Sequence, residues 1–115
     1  MNNRFLLYHW SPASRRKSIL KHGLVPGKAA VTNRSMAPYV CFCRTPSMAW
    51  ALSAMQHGPG KWDLWMVWSH HVGGYTTCRQ NGPELWKREY RVPRRIPKSR
   101  IWFVGTREFK SRKHE

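Results

Sequence analysis

The sequence predicts an α+β domain with a mainly β core, and three observations carry that expectation. Six short runs have strand character: Arg4–Trp10, Tyr39–Cys43, Trp62–Trp68, Tyr75–Cys78, Trp86–Val92 and Ile101–Val104. Only two segments carry helix start and stop signals, and they interleave with the first three strands as β-α-β-α-β. The 115 residues are 41% hydrophobic and include seven tryptophans, too much large apolar surface for a disordered chain and enough for one small core. About six short strands in two packed sheets, with two short helices, is the expected architecture.

Each element follows from local chemistry. Arg4–Trp10 is aromatic and leucine-rich. Ser14 is the expected N-cap of a first helix, and Ser18, Ile19 and Leu20 carry the apolar residues it would turn to the core. Gly23 ends that helix, with Lys21 and His22 suited to the negative end of its dipole. Leu24-Val25 leads into the turn signal Pro26-Gly27, and Lys28–Pro38 reads as a loop. After "YVCFC", Thr45 is an N-cap and Pro46 a first helical residue, with Met48, Ala49, Leu52 and Met55 as the apolar stripe. His57-Gly58-Pro59-Gly60 closes that helix. "WDLWMVW" is apolar enough for a central strand. Gly73-Gly74 and Asn81-Gly82-Pro83 are breaks, and "WKREYRV" alternates as a strand does. Residues 1–105 are expected to form the domain, and the charged residues 106–115 a frayed basic tail.

Charge is the strongest bulk signal. Lysine and arginine number 21 against 5 acids, a net +16. Such a field points to a polyanionic partner, a nucleic acid or an acidic, nucleic-acid-associated protein. The charges are spread along the chain, which disfavours an amphipathic membrane helix. Cys41, Cys43 and Cys78 are odd in number and contain no CxxC pair, so neither a disulfide framework nor a zinc site is expected. No apolar run reaches membrane-spanning length, and no secretory leader is evident. A cytoplasmic monomer without a metal is the expectation.

The chemistry concentrates in a few short motifs. The first strand ends His9-Trp10-Ser11, followed by Ile19-Leu20 and Gly23-Leu24. "YVCFC" precedes the Ser47-Ala49-Trp50 helix, Glu89-Tyr90 lies within "REYRV", and Ile96-Pro97 precedes "RIWFV". In this order, over roughly Leu6 to Val104, the chain resembles the ADP-ribosyltransferase fold of poly(ADP-ribose) polymerases and diphtheria-toxin-like enzymes. The resemblance implies a small phage- or toxin-type member, in the host cytoplasm if phage-encoded. It implies NAD as the ADP-ribose donor. The backbone at Trp10 would hold the nicotinamide carboxamide, and His9 and Ser11 would hold the ribose. An aromatic would stack on the nicotinamide. Tyr39 and Cys41 both align with that aromatic position. Trp10 departs from the family, which has a small residue between the histidine and the serine.

Cleaving the nicotinamide–ribose bond builds oxocarbenium-like charge, which a carboxylate at the ribose 2′-hydroxyl stabilises. Five acids exist: Asp63, Glu84, Glu89, Glu108 and Glu115. Glu89 lies in a strand pattern and Glu84 in a Gly-Pro loop, so Glu89 is the favoured catalytic acid, with His9 its partner. A purely structural reading pairs Glu89 with Lys87 or Arg91. Arg15, Arg16 and Lys17 open the first helix, where positive charge opposes its dipole. Arg94, Arg95, Lys98 and Arg100 follow the proposed acid. NAD carries two phosphates and does not account for so many cations, so both groups are assigned to a polyanionic acceptor. The expected function is mono-ADP-ribosyl transfer from NAD to a macromolecule. A non-catalytic nucleic-acid binder on the same fold is the alternative. An RNA 2′-phosphotransferase shares the fold but normally has a further domain.

Overall fold

A computed structural model of the chain describes residues 4–26, 39–54, 59–78 and 88–110. Strand β1 (Leu6–Pro12) runs through a 3₁₀ turn (Ala13–Arg15) into helix α1 (Arg16–His22). Strand β2 (Val40–Phe42) precedes helix α2 (Pro46–Ala54), and β3 (Gly60–Trp68) follows. After a 3₁₀ turn at Ser69–His71 come β4 (Thr76–Cys78) and β5 (Glu89–Val92). A last 3₁₀ turn (Lys98–Arg100) feeds β6 (Ile101–Phe109). Among the described residues the six strands form two antiparallel three-stranded sheets, ordered β1-β3-β6 and β2-β5-β4. The α+β class, the two sheets and the two short helices are as the sequence predicts.

Strand alternation builds the core. Leu7 of β1, Trp65 and Val67 of β3 and Ile101 of β6 face inward from the first sheet. Val40 and Phe42 of β2 and Tyr90 and Val92 of β5 face inward from the second. Ile19, Leu24, Val72 and Ile96 complete the cluster. β3 is the central strand of its sheet, as its apolar run predicts, and Trp65 is 1% exposed. Helix α2 lies on the opposite face of the first sheet. There Trp50 meets Trp10 edge-on at 4.9 Å, Trp62 at 6.2 Å and Phe109 at 5.5 Å. The Thr45 hydroxyl accepts the Met48 amide at 3.1 Å, so Thr45 is the N-cap and Pro46 the first helical residue.

Three expectations change. Ser14 does not cap α1. It falls inside the preceding 3₁₀ turn, and Arg15 holds the N-cap position with no side-chain cap bond. Ile19 is the residue of α1 that reaches the core, while Leu20, 100° further round a seven-residue helix, is 53% exposed. The last strand does not end at Val104. Thr106–Phe109, placed by sequence in a frayed tail, continue β6 opposite Gly60–Asp63. Two contacts hold them: Thr106 Oγ1 donates to the buried Asp63 carboxylate at 2.8 Å, and Phe109 packs on Trp50. The loop at 28–38, the end of the second helix, Glu84, the Asn81-Gly82-Pro83 turn, Trp86-Lys87 and the last five residues lie outside the described residues.

Gly23 has a backbone φ of +84°, and a β-carbon there would stand 2.1 Å from the Ile96 carbonyl oxygen. This close approach lets Leu24 and Ile96 exchange two backbone hydrogen bonds, at 3.0 and 2.9 Å, which pin the end of α1 to the segment before β6. No helix among the described residues is long and apolar enough to cross a membrane.

Candidate functional site

The two sheets meet at one place and then part. Tyr8 and Cys43 exchange backbone hydrogen bonds at 2.8 and 3.0 Å, an isolated antiparallel bridge between β1 and the end of β2. Continuing that register would set Trp10 against Cys41. Among the described residues no such pair forms, so the strands splay there. Backbone groups two residues apart on a strand point the same way. The N–H and C=O of Trp10 therefore face the split, as do those of Cys41 opposite.

His9 spans the split from its core side. Its ring lies 5.6 Å from Phe42, and its Nδ1 is 2.8 Å from the Cys41 carbonyl oxygen. A carbonyl only accepts, so Nδ1 carries the proton and, in the neutral ring, Nε2 carries the lone pair. Glu89 comes from β5 on the outer face, alternating with buried Tyr90. Cys41 lies opposite Arg91 in the β2–β5 register, which puts Cys41, Glu89 and Arg91 on one face. The Cys41 thiol lies close enough to the Glu89 carboxylate to feel its charge. The backbone of Cys41 thus contacts His9 while its side chain shares the outer face with Glu89, so Cys41 neighbours both of the other positions the sequence singled out.

Burial and then the nearby Glu89 charge push the Cys41 thiol up to about 12. The same two causes, in that order, push Cys43 to about 12. Both stay protonated at neutral pH, which removes them as thiolate nucleophiles. Glu89 is not isolated. Arg91 Nε donates to its Oε1 at 3.1 Å, and Nη2 approaches the same oxygen at 3.1 Å. The partner proposed on structural grounds is therefore present, and β5 is the central strand of its sheet, not an edge. The Arg91 guanidinium also lies 5.8 Å from the Tyr39 ring centroid. Tyr39 precedes β2 and shares the side of Cys41, so Cys41 is the residue that adjoins both His9 and Glu89.

Trp10 finds room on the other side of the sheet. Its indole turns away from His9, donates from Nε1 to the Pro46 carbonyl at 2.9 Å and packs on Trp50. The departure from a small residue is absorbed by α2, and only the Trp10 backbone faces the split. Ser11 is 5% exposed and its Oγ accepts the Trp65 indole N–H at 3.1 Å. Its hydroxyl is thus part of the packed core.

The basic residues divide by job. Arg16 makes a two-pronged ion pair with Asp63, Nε to Oδ2 and Nη2 to Oδ1, both at 2.8 Å. The Arg16 hydrogen bond, with help from Thr106, holds the Asp63 carboxyl below its usual 3.8. This carboxylate offsets the positive charge at the start of α1, so Arg16 serves the fold and not only a rim. Arg94 wraps the Gly73-Gly74 turn through Val72 O at 2.8 Å and Gly74 O at 2.7 Å. Arg95 donates to the His22 carbonyl at the end of α1, 73 residues away, at 2.9 Å. Arg100 donates to the His71 carbonyl at 3.1 Å. Arg15, Lys17 and Lys98 are exposed. The Arg95 bond and the Leu24–Ile96 bridge bring the C-terminal end of α1 against the segment that carries Arg95.

Sequence reasoning set Asp63 aside as a residue of an apolar strand. The signal that finds it is a lone acid within such a run in a chain of 21 cations, since a buried carboxylate requires a partner. Among the described residues no group of three or more histidines, cysteines or acids stands close enough to hold a metal ion. No protein-family model matches the chain, and no curated protein matches it.

Proposed function

We propose that the chain is a mono-ADP-ribosyltransferase that moves ADP-ribose from NAD to a polyanionic macromolecule. The observation that carries the proposal is the juxtaposition of His9, the Trp10 backbone, Cys41 and Glu89 around the split between β1 and β2. The Trp10 N–H and C=O offer one donor and one acceptor, the complement of a carboxamide. Glu89, with Oε1 fixed by Arg91, is the carboxylate to meet the ribose 2′-hydroxyl. In the reaction the bond from the ribose C1′ to the nicotinamide nitrogen breaks and its electron pair leaves with nicotinamide. An acceptor oxygen or nitrogen then bonds C1′ and releases its proton. A carboxylate beside the developing cation contributes about 10² to 10³ in rate.

Incubation with labelled NAD and a mixture of nucleic acids and proteins is the test. Label transfer is expected, with a loss of roughly 10²-fold or more in Glu89→Gln. Label transfer undiminished in Glu89→Gln, or no transfer together with no NAD-induced thermal stabilisation, refutes the proposal. The Glu89–Arg91 ion pair specifically favours a second reading. A carboxylate held by its own strand neighbour is also what a non-catalytic binder of polyanions would keep. It predicts salt-sensitive nucleic-acid binding and no affinity for NAD.

A further inference from the structure

We propose that Arg94, Arg95 and Arg100 are pre-set forks for the phosphodiester backbone of duplex nucleic acid. The proposal deepens the reading above by naming the class of its polyanion and the residues that grip it, and rests on that reading for the acceptor role alone.

Hydrogen-bond geometry separates two sets of arginines. Arg16 and Arg91 meet a carboxylate through Nε and Nη2, the guanidinium edge whose two N–H bonds run parallel. Arg94, Arg95 and Arg100 donate from Nη1 instead, and to backbone carbonyls. Arg94 holds those of Val72 and Gly74, Arg95 that of His22, and Arg100 that of His71. Their Nε–Nη2 edges carry no hydrogen bond or ion pair among the described residues. All three residues are exposed. Each is thus a guanidinium held at one end with its oxyanion-binding edge left over. Asp63, Glu89 and Glu108 are the acids among the described residues. The first two pair with Arg16 and Arg91, and Glu108 stands opposite Lys61, so none of them serves these edges.

Two of the forks sit on one turn. Arg94 and Arg100 hold the carbonyls of adjacent residues, Val72 and His71, which puts their guanidinium groups within about 10 Å of each other. That is about three nucleotides of axial rise along one strand of a duplex. Gly73 keeps the Arg94 fork clear. A β-carbon there, at φ +79°, would stand 3.2 Å from Cδ and 3.5 Å from Nε.

A guanidinium edge binds carboxylate and phosphate alike, and two observations favour phosphate on a duplex. Forks fixed in place suit a stiff chain with a charge at every step. An acidic peptide carries its carboxylates on side chains that must still be ordered, so fixed spacing gains it less. Pro93 to Arg100 holds no aromatic residue, and Tyr75, which follows the turn, packs edge-on to Phe5 and Tyr90. With no ring in the segment to stack on bases, a single strand has no advantage over a duplex. Contact is then to the backbone and independent of sequence.

The test is fluorescence anisotropy with labelled duplex DNA of mixed sequence, duplex RNA, oligo(dT) and polyglutamate, over a salt series and without NAD. A duplex is expected to bind more tightly than oligo(dT) or polyglutamate, with affinity falling as salt rises. The tighter of the two duplexes names the source of the backbone. Arg100→Gln is expected to weaken duplex binding by roughly 5- to 10-fold and to lower the salt slope by about 1. Lys61→Gln removes the same charge elsewhere and is expected to cost about 2-fold or less. Phenylglyoxal modification of the unaltered chain, read by peptide mass spectrometry, needs no variant to fold. Duplex is expected to protect Arg94, Arg95 and Arg100 and to leave Arg107, stacked on Trp50, as reactive as before. Equal losses in Arg100→Gln and Lys61→Gln, oligo(dT) or polyglutamate binding as tightly as duplex, or unprotected arginines at 94, 95 and 100 each overturn the proposal. NAD-induced thermal stabilisation, read separately and without nucleic acid, reports on the split alone, so one reading fails without the other.

Discussion

Replacing Gly23 with alanine tests the joint that holds α1 against the segment before β6. Two costs follow from the geometry. At φ +84° a residue with a β-carbon is strained by about 1–2 kcal/mol. The new β-carbon would also stand 2.1 Å from the Ile96 carbonyl oxygen and 2.9 Å from the Lys98 nitrogen, both backbone atoms that cannot swing aside. The chains must separate, which breaks the two Leu24–Ile96 hydrogen bonds, about 1 kcal/mol each. The sum is about 3–4 kcal/mol, a large share of a small domain's stability. For a chain of this size it lowers the Tm by roughly 10–20 °C. Two other glycines calibrate the estimate. Gly60 has φ +137° but nothing within 4 Å of its would-be β-carbon, so Gly60→Ala carries the strain alone, about 1–2 kcal/mol. Gly105 shows neither strain nor a neighbour, and Gly105→Ala is expected within about 0.5 kcal/mol of the parent. Thermal unfolding followed by circular dichroism gives the order Gly105, Gly60, Gly23. A Gly23→Ala chain no less stable than Gly60→Ala refutes the steric argument.

The remaining predictions concern charge and thiols. Asp63 is fully buried and held below its usual 3.8 chiefly by the Arg16 hydrogen bond. Its stabilising effect is therefore present above about pH 4 and is lost as pH falls through its folded-state value. Arg16→Ala leaves that carboxylate buried with Thr106 alone, so burial raises it and the slope reverses. The variant's Tm should rise between about pH 6 and pH 4, where the parent's is flat or falling. Parallel slopes in the two proteins would contradict this account of the pair. Cys41 and Cys43, pushed to about 12, hold a thiolate fraction of roughly 10⁻⁴ at pH 8. Iodoacetamide on the folded chain should spare both over hours, and denaturant should open both to reaction. Rapid native labelling of Cys41, read by peptide mass spectrometry, would exclude a thiol held protonated by burial and the Glu89 charge.

Much of the fold was legible because its signals are local. "WDLWMVW" is apolar on both faces, and the structure gives it neighbours on both edges and cover on both faces. Thr45-Pro46 states a helix start in two residues, and the Thr45 cap bond is present. What escaped depends on partners distant in sequence. Ser14 has the chemistry of an N-cap, but the tight 3₁₀ turn ahead of α1 moves the helix start to Arg16. Thr106–Phe109 read as tail because Thr-Arg-Glu-Phe carries no strand pattern. Their place in β6 is secured by Asp63 and Trp50, more than 40 residues earlier.

The candidate site divides along the same line. Its members could be proposed one by one, and the choice between Tyr39 and Cys41 could not, since both share one side of the chain. Cross-strand register decides which of them adjoins Glu89, and the β2–β5 pairing sets Cys41 opposite Arg91 and beside the acid. Arg91 itself stands two residues from Glu89, where strand alternation brings side chains to one face, so their pairing follows once β5 is a strand. The cations carry the larger lesson. Their number implied a polyanion, but number alone assigns every arginine to it. The structure commits Arg16, Arg94, Arg95 and Arg100 to hydrogen bonds within the protein. Those contacts fix guanidinium groups in place beside exposed lysines and aromatic rings. An ordered cation loses less conformational entropy on meeting a phosphate than a free one does. Structural use is therefore compatible with the proposed polyanion binding at Arg94, Arg95 and Arg100, whereas the Arg16 charge is already met by Asp63.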